Sequence, residues 1–116
     1  MPHYLVAGFL PDDFDPSTVT EALIRDIDAL NDEMEAAGVR VLGLGLSAAS
    51  SAKSVRAQAD GKVLITDGPY METKEHVGGI LILKAPNMDE ALAWARKSAV
   101  AGRMPVEVRE ILRYNE

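Results

Sequence analysis

Two helical stripes constrain this chain more than any other feature. Leu23, Ile27, Leu30, Met34 and Ala37 recur at spacings of four, three, four and three, which lays one apolar stripe along a helix. Met88, Ala91, Leu92, Ala95 and Ala99 form a second stripe with Trp94 on its flank. Asp15 ahead of Pro16 reads as the cap and first position of the first helix. Gly38 reads as its left-handed end. Asn87 with Glu90 makes a capping box for the second helix. Each stripe lies between runs that read as strands: residues 3–9 and 39–46 around the first, 77–85 and 106–112 around the second. The runs mix apolar residues on both faces, the pattern of buried strands.

The middle of the chain holds a hairpin. Asp60-Gly61 sits between two alternating segments, the mark of a two-residue turn. That turn sets Ala57 opposite Leu64, Arg56 opposite Ile65 and Ser54 opposite Asp67. Arg56 and Asp67 are then diagonal neighbours on one face, within reach of a long side chain. The order is strand, helix, three or four strands, helix, strand. The economical packing is one domain spanning residues 1–116, an α+β sandwich of ferredoxin-like type with both helices on one face of an antiparallel sheet. The other face is left open and apolar, so a homodimer is expected.

Composition removes several chemistries. Without cysteine there is no disulfide, zinc thiolate, iron–sulfur cluster or cysteine nucleophile. The 12 basic and 18 acidic residues give a net charge of −6, which repels phosphate backbones and makes nucleic acid an unexpected partner. No apolar run approaches the roughly 20 residues that span a bilayer, so no membrane partner is expected. The opening MPHYLVAGF has no basic stretch and runs straight into a strand pattern, so no signal peptide is expected. A cytoplasmic location is the expectation.

Candidate chemistry concentrates in residues 65–79, ITDGPYMETKEHVGG. Asp67-Gly68-Pro69 has two readings. One is a structural turn. The other is a carboxylate held at a strand end, pointing into the open face, where burial would make it a general acid or base. Glu72, Lys74 and Glu75 are by default solvated loop charges, although Glu72 and Lys74 would share a face of an extended segment. His3 and His76 are the only imidazoles. Each is first a hydrogen-bonded structural residue, with His3 the stronger proton-transfer candidate because its strand would point it into the sheet. The two lie in no metal-binding pattern. Gly43-Leu44-Gly45-Leu46-Ser47-Ala48 matches a dinucleotide fingerprint. The helix it requires overlaps the hairpin, so glycines near a bend or bulge are the better reading. No G-x-S-x-G elbow exists, which leaves serine nucleophile chemistry unsupported.

The run Thr66-Asp67-Gly68-Pro69-Tyr70-Met71-Glu72-Thr73-Lys74-Glu75, followed by Gly78-Gly79, resembles the signature of the YCII-related proteins, in particular their DGPF-type branch. The likeness extends to His3-Tyr4-Leu5, Glu35-Ala36-Ala37-Gly38-Val39, Leu44-Gly45-Leu46, Ser54-Val55-Arg56, the stretch from Asp89 to Ala95, and Val106-Glu107-Val108-Arg109. Tyr70 departs from the branch's phenylalanine, and residues 96–104 lack an expected proline. The resemblance implies a ferredoxin-like domain that dimerises into an α+β barrel, and relatives that act on small molecules, generally without metal.

Two functions are therefore weighed. The first is a cofactor-independent acid/base enzyme acting on a small cyclic or aromatic metabolite. Asp67 would be its acid or base and His3 a second proton carrier. Arg56 and Lys74 would bind an anionic group, Tyr70 and Tyr4 would line the pocket, and Glu72 would sit among the binding residues. The second is a non-catalytic homodimer that binds a small ligand or serves as a regulatory or protein-interaction module, with Asp67-Gly68-Pro69 as a turn and residues 72–75 as a contact. Neither needs a cofactor.

Overall fold

The computed structural model describes residues 1–114. Strand β1 (His3–Pro11) leads to helix α1 (Glu21–Ala36) and β2 (Arg40–Gly45). A hairpin of β3 (Lys53–Ala57) and β4 (Val63–Asp67) follows, then β5 (Glu75–Lys84), α2 (Met88–Gly102) and β6 (Val106–Glu110). The main sheet has the order β2-β5-β1-β6, with antiparallel pairing throughout. With the hairpin set aside, this is the ferredoxin-like α+β arrangement.

Register decides what each face carries. Tyr4 pairs with Leu83 and Val6 with Leu81, and these side chains share a face because opposite residues point the same way. Tyr4, Val6, Leu83 and Ala85 close a core with Ala91 and Ala95 of α2. Leu30 and Met34 of α1 are also buried. Small residues on α2 bring the helix close to the sheet, and large ones from the strands fill the gap. Leu5, Ala7, Leu42, Ile80 and Ile82 fall on the opposite face by the same register.

The caps refine the sequence reading. Asn87 Oδ1 accepts from the Glu90 amide at 2.9 Å, as expected. Gly38 has φ 72° at the end of α1, also as expected. Asp15, however, caps only a short 3-10 turn at Pro16–Thr18, and Thr20 caps α1 itself. Met88 is partly exposed, whereas the stripe placed it in the core.

The hairpin overturns the expected register. Gln58 N–H donates to Lys62 O and Gly61 N–H to Gln58 O, at 2.8 and 3.1 Å. Gly61 has φ 82°. The loop is thus three residues long, a turn closed by a left-handed glycine rather than a two-residue turn. The pairing slips by one, so Lys53 faces Asp67 and Arg56 faces Leu64. A one-residue slip moves a side chain to the other face of a ribbon. Arg56 and Asp67 are therefore on opposite faces. Among the described residues the hairpin pairs only with itself and does not extend the main sheet. The Cα radius of gyration is 16.3 Å, against about 13 Å for a compact chain of this length, because the hairpin projects from the body.

Candidate functional site

Two cavities bear on function. The larger, about 810 Å³, lies between α1 and the helix-covered face of the sheet. Its existence follows from the glycines. Gly79 of β5 pairs with Gly8 of β1 and with Gly45 of β2. These three positions form a row across three strands, two residues beyond the Val6–Leu81 pair, on the face that carries Tyr4 and Leu83. Where other rows put side chains under a helix, this row puts none. A Cβ added at Gly45 would meet nothing within 4 Å. Leu23, Ile24 and Ile27 of α1, with Phe9, Phe14 and Met104, complete a mostly apolar wall.

Two cations, Arg40 and Arg103, reach that wall. Arg40, at the start of β2, has a side chain 23% exposed. Its Nε donates to Asn31 Oδ1 at 3.3 Å, and its Nη1 lies 3.7 Å from Glu35 Oε1. Its Nη2 lies over Gly43, 2.8 Å from where a Cβ would stand. Glycine at position 43 thus leaves room for the guanidinium to lie along the sheet. The Gly43-Leu44-Gly45 run, read from sequence as strand glycines near a bend or bulge, floors a cleft, and the β2 register shifts between Arg40 and Leu42.

The second cavity, about 590 Å³, lies under the signature loop. Pro69, Tyr70, Met71 and His76 line it, with Lys53, Ser54 and Val55 of β3. His76 Nδ1 is 2.6 Å from Asp12 Oδ1, and Nε2 is 2.9 Å from the Met71 carbonyl oxygen. An imidazolium satisfies both contacts, since both ring nitrogens then donate. The Met71 carbonyl first and the Asp12 carboxylate second hold the His76 pKa above its ordinary value, against the opposing effect of burial. His76 thereby ties the signature loop to the end of β1. Sequence reading placed it among structural histidines and missed this pair, because Asp12 lies 64 residues away.

The sequence-predicted residues are dispersed. Asp67 is 88% exposed, and Lys53 Nζ sits 2.5 Å from its Oδ1. Arg56 stacks over Tyr70, 5.1 Å from the ring centre. Glu72 and Lys74 are exposed in and beside the signature loop. His3 stacks on Tyr114 at 4.4 Å. Tyr4 is 3% exposed, so it is a core residue and lines neither cavity. Burial and the Glu110 carboxylate push its hydroxyl above its ordinary pKa. His3 pairs with Lys84 whereas Leu10 pairs with His76. Those positions are about 23 Å apart at roughly 3.3 Å per residue, so His3 and the signature loop occupy opposite ends of the sheet. Of the candidate catalytic and binding residues Asp67, His3, Arg56, Tyr70, Glu72, Lys74 and Tyr4, Tyr70 alone lines either of these two cavities, and Arg56 covers its ring.

Comparison with known proteins matches the chain to a family. A model of the YCII-related domain matches residues 1–115. An uncharacterized protein of Rhizobium meliloti (strain 1021) is 33% identical over 76 residues, a stretch that covers 66% of this chain and 60% of that protein.

Proposed function

The chain belongs to the YCII-related family, and on that premise we propose that it binds a small, largely apolar molecule in the cleft between α1 and the sheet. The observation that carries this reading is the in-register glycine row Gly8, Gly79 and Gly45 along a cavity of about 810 Å³, where Met104 lies over Gly8 and Gly45 opens onto empty space. Ligand sites are typically apolar concavities of about 300–1,000 Å³ with a few placed polar groups. Here those groups are Arg40, Arg103, Asn31, Thr18 and Ser98.

The test is to fill the floor. Leucine at Gly45 enters open space, and Gly45 is not among the positive-φ glycines. Fragments that raise the melting temperature of the wild type are expected to leave Gly45→Leu unmoved. Equal stabilisation of both proteins rejects the cleft as the site.

A second reading, acid/base catalysis, is favoured by Tyr70 and His76 sharing the second cavity. Asp12 would orient His76, and the Met71 carbonyl would have to leave Nε2 before a substrate reached it. Asp67 and His3 have weaker support as proton carriers, since one is solvent-exposed beside Lys53 and the other stacks on Tyr114 at the far end of the sheet. Turnover lost in His76→Gln but kept in Asp67→Asn would support the His76 assignment, and the reverse would restore Asp67.

The proposal includes a homodimer in a cytoplasmic setting. Leu5, Leu42, Ile80 and Ile82 form an apolar patch on the face away from the helices. Val55, Val63 and Ile65 are largely exposed on one face of the hairpin. A second copy is the partner suited to both, through a paired-sheet barrel. Cysteine-free composition fits a reducing compartment, and no helix among the described residues is long and apolar enough to cross a membrane.

A further inference from the structure

We infer that the cleft selects a monoanion, a carboxylate borne on an apolar body, and that Nη2 of Arg40 seats its charge; this rests on the cleft being the ligand site. The guanidinium is divided between tasks. Nε is held by Asn31 at 3.3 Å, and Nη1 faces Glu35 at 3.7 Å. Nη2 has no partner among the hydrogen bonds and ion pairs of the described residues, and it lies over Gly43 on the cleft wall. Its N–H groups are thus the open donors, beside apolar surface where an ionic hydrogen bond is stronger than in water.

The same geometry argues against other charges. Arg103, the second cation on the wall, is 2.9 Å from Asp26 and also donates to its own turn at the Ala101 carbonyl. One open cation therefore serves the cleft. A phosphate dianion would bring a second negative charge toward Glu35 without a second cation to meet it. A cationic ligand would be repelled by Arg40 itself. A neutral ligand with no acceptor would leave the Nη2 donors unpaired, and one with an amide oxygen would accept from Nη2 without the attraction of opposite charges. The apolar residues Leu23, Ile27, Phe9, Phe14 and Met104 take the body of the molecule.

The experiment is a library of matched pairs, each a carboxylic acid and its carboxamide on the same apolar body, titrated by protein-observed NMR. Wild type is expected to favour the carboxylate by about tenfold or more within a pair, the gain of one charged hydrogen bond. Arg40→Gln should abolish that preference while keeping the carboxamide's affinity. Glu35→Gln is a second variant that leaves Arg40 in place; it should tighten the carboxylate and not the amide. Amides that bind as well as acids, or a preference that survives in Arg40→Gln, would overturn the anion assignment while leaving the cleft as a site. Failure of every pair to bind would remove the cleft and the anion assignment together.

Discussion

Gly45 faces Gly79 across β2 and β5 on the helix side of the sheet, and neither puts a side chain beneath α1. Gly8 continues the row on the other side of Gly79. Met104 covers the Gly8 end of the row, and the Gly45 end opens into the cleft. The glycines of this chain serve different purposes, and substitution separates them.

Gly45→Leu is expected to fold with stability close to wild type, because open space receives the side chain. Gly68 has φ 95°, where a Cβ is strained, so Gly68→Ala should lose about 1–2 kcal/mol. Urea unfolding of the two variants checks the contrast. A larger loss in Gly45→Leu would mean the floor is closed in solution.

Lys53, not Arg56, is the partner of Asp67. A double-mutant cycle with Lys53→Met and Asp67→Asn should show a coupling below about 1 kcal/mol, the scale of an exposed pair. The cycle of Arg56→Met with Asp67→Asn should show none. Coupling to Arg56 would restore the two-residue turn.

Much of the architecture was legible in the sequence, and the misses have physical causes. Both helices, the Asn87 cap and Gly38 rest on local spacing and hold. Of the stripes, however, only Leu30, Met34, Ala91 and Ala95 are buried, while Ile27, Ala37, Met88 and Leu92 are exposed. Asp60-Gly61 is compatible with both a two-residue and a three-residue loop, and that one-residue difference reversed the faces of Arg56 and Asp67. The cap of the first helix went astray because Asp15 and Thr20 are both good caps and only one could begin α1. The cleft was invisible because Gly8, Gly45 and Gly79 meet only through long-range register. The same holds for His76 and Asp12.

His76 gives the fold a pH dependence with a definite sign. Its folded pKa is raised above the ordinary 6.5 by the Met71 carbonyl and Asp12. Its contribution is therefore complete below the unfolded value and is lost as pH rises through the folded value. Melting temperature is expected to fall as pH rises above the ordinary histidine range, near 6.5, more in the wild type than in His76→Gln. Parallel pH profiles for the two proteins would mean that His76 is not the clamp.

The proposed homodimer uses the apolar face opposite the helices. Light scattering at micromolar concentration should give twice the 12.5 kDa of the chain. Ile82→Glu should give the single mass with the fold retained, because Ile82 pairs with Leu5 and Leu42 on that face. A monomeric wild type would remove the paired-sheet barrel.

The most direct measurement is where ligands act on the protein. In a fragment titration followed by backbone amide NMR, the cleft assignment predicts that shifts concentrate at Gly43, Gly45, Gly79, Ile27 and Met104. Shifts confined to Tyr70, Met71 and His76 would contradict it and move the site to the cavity under the signature loop.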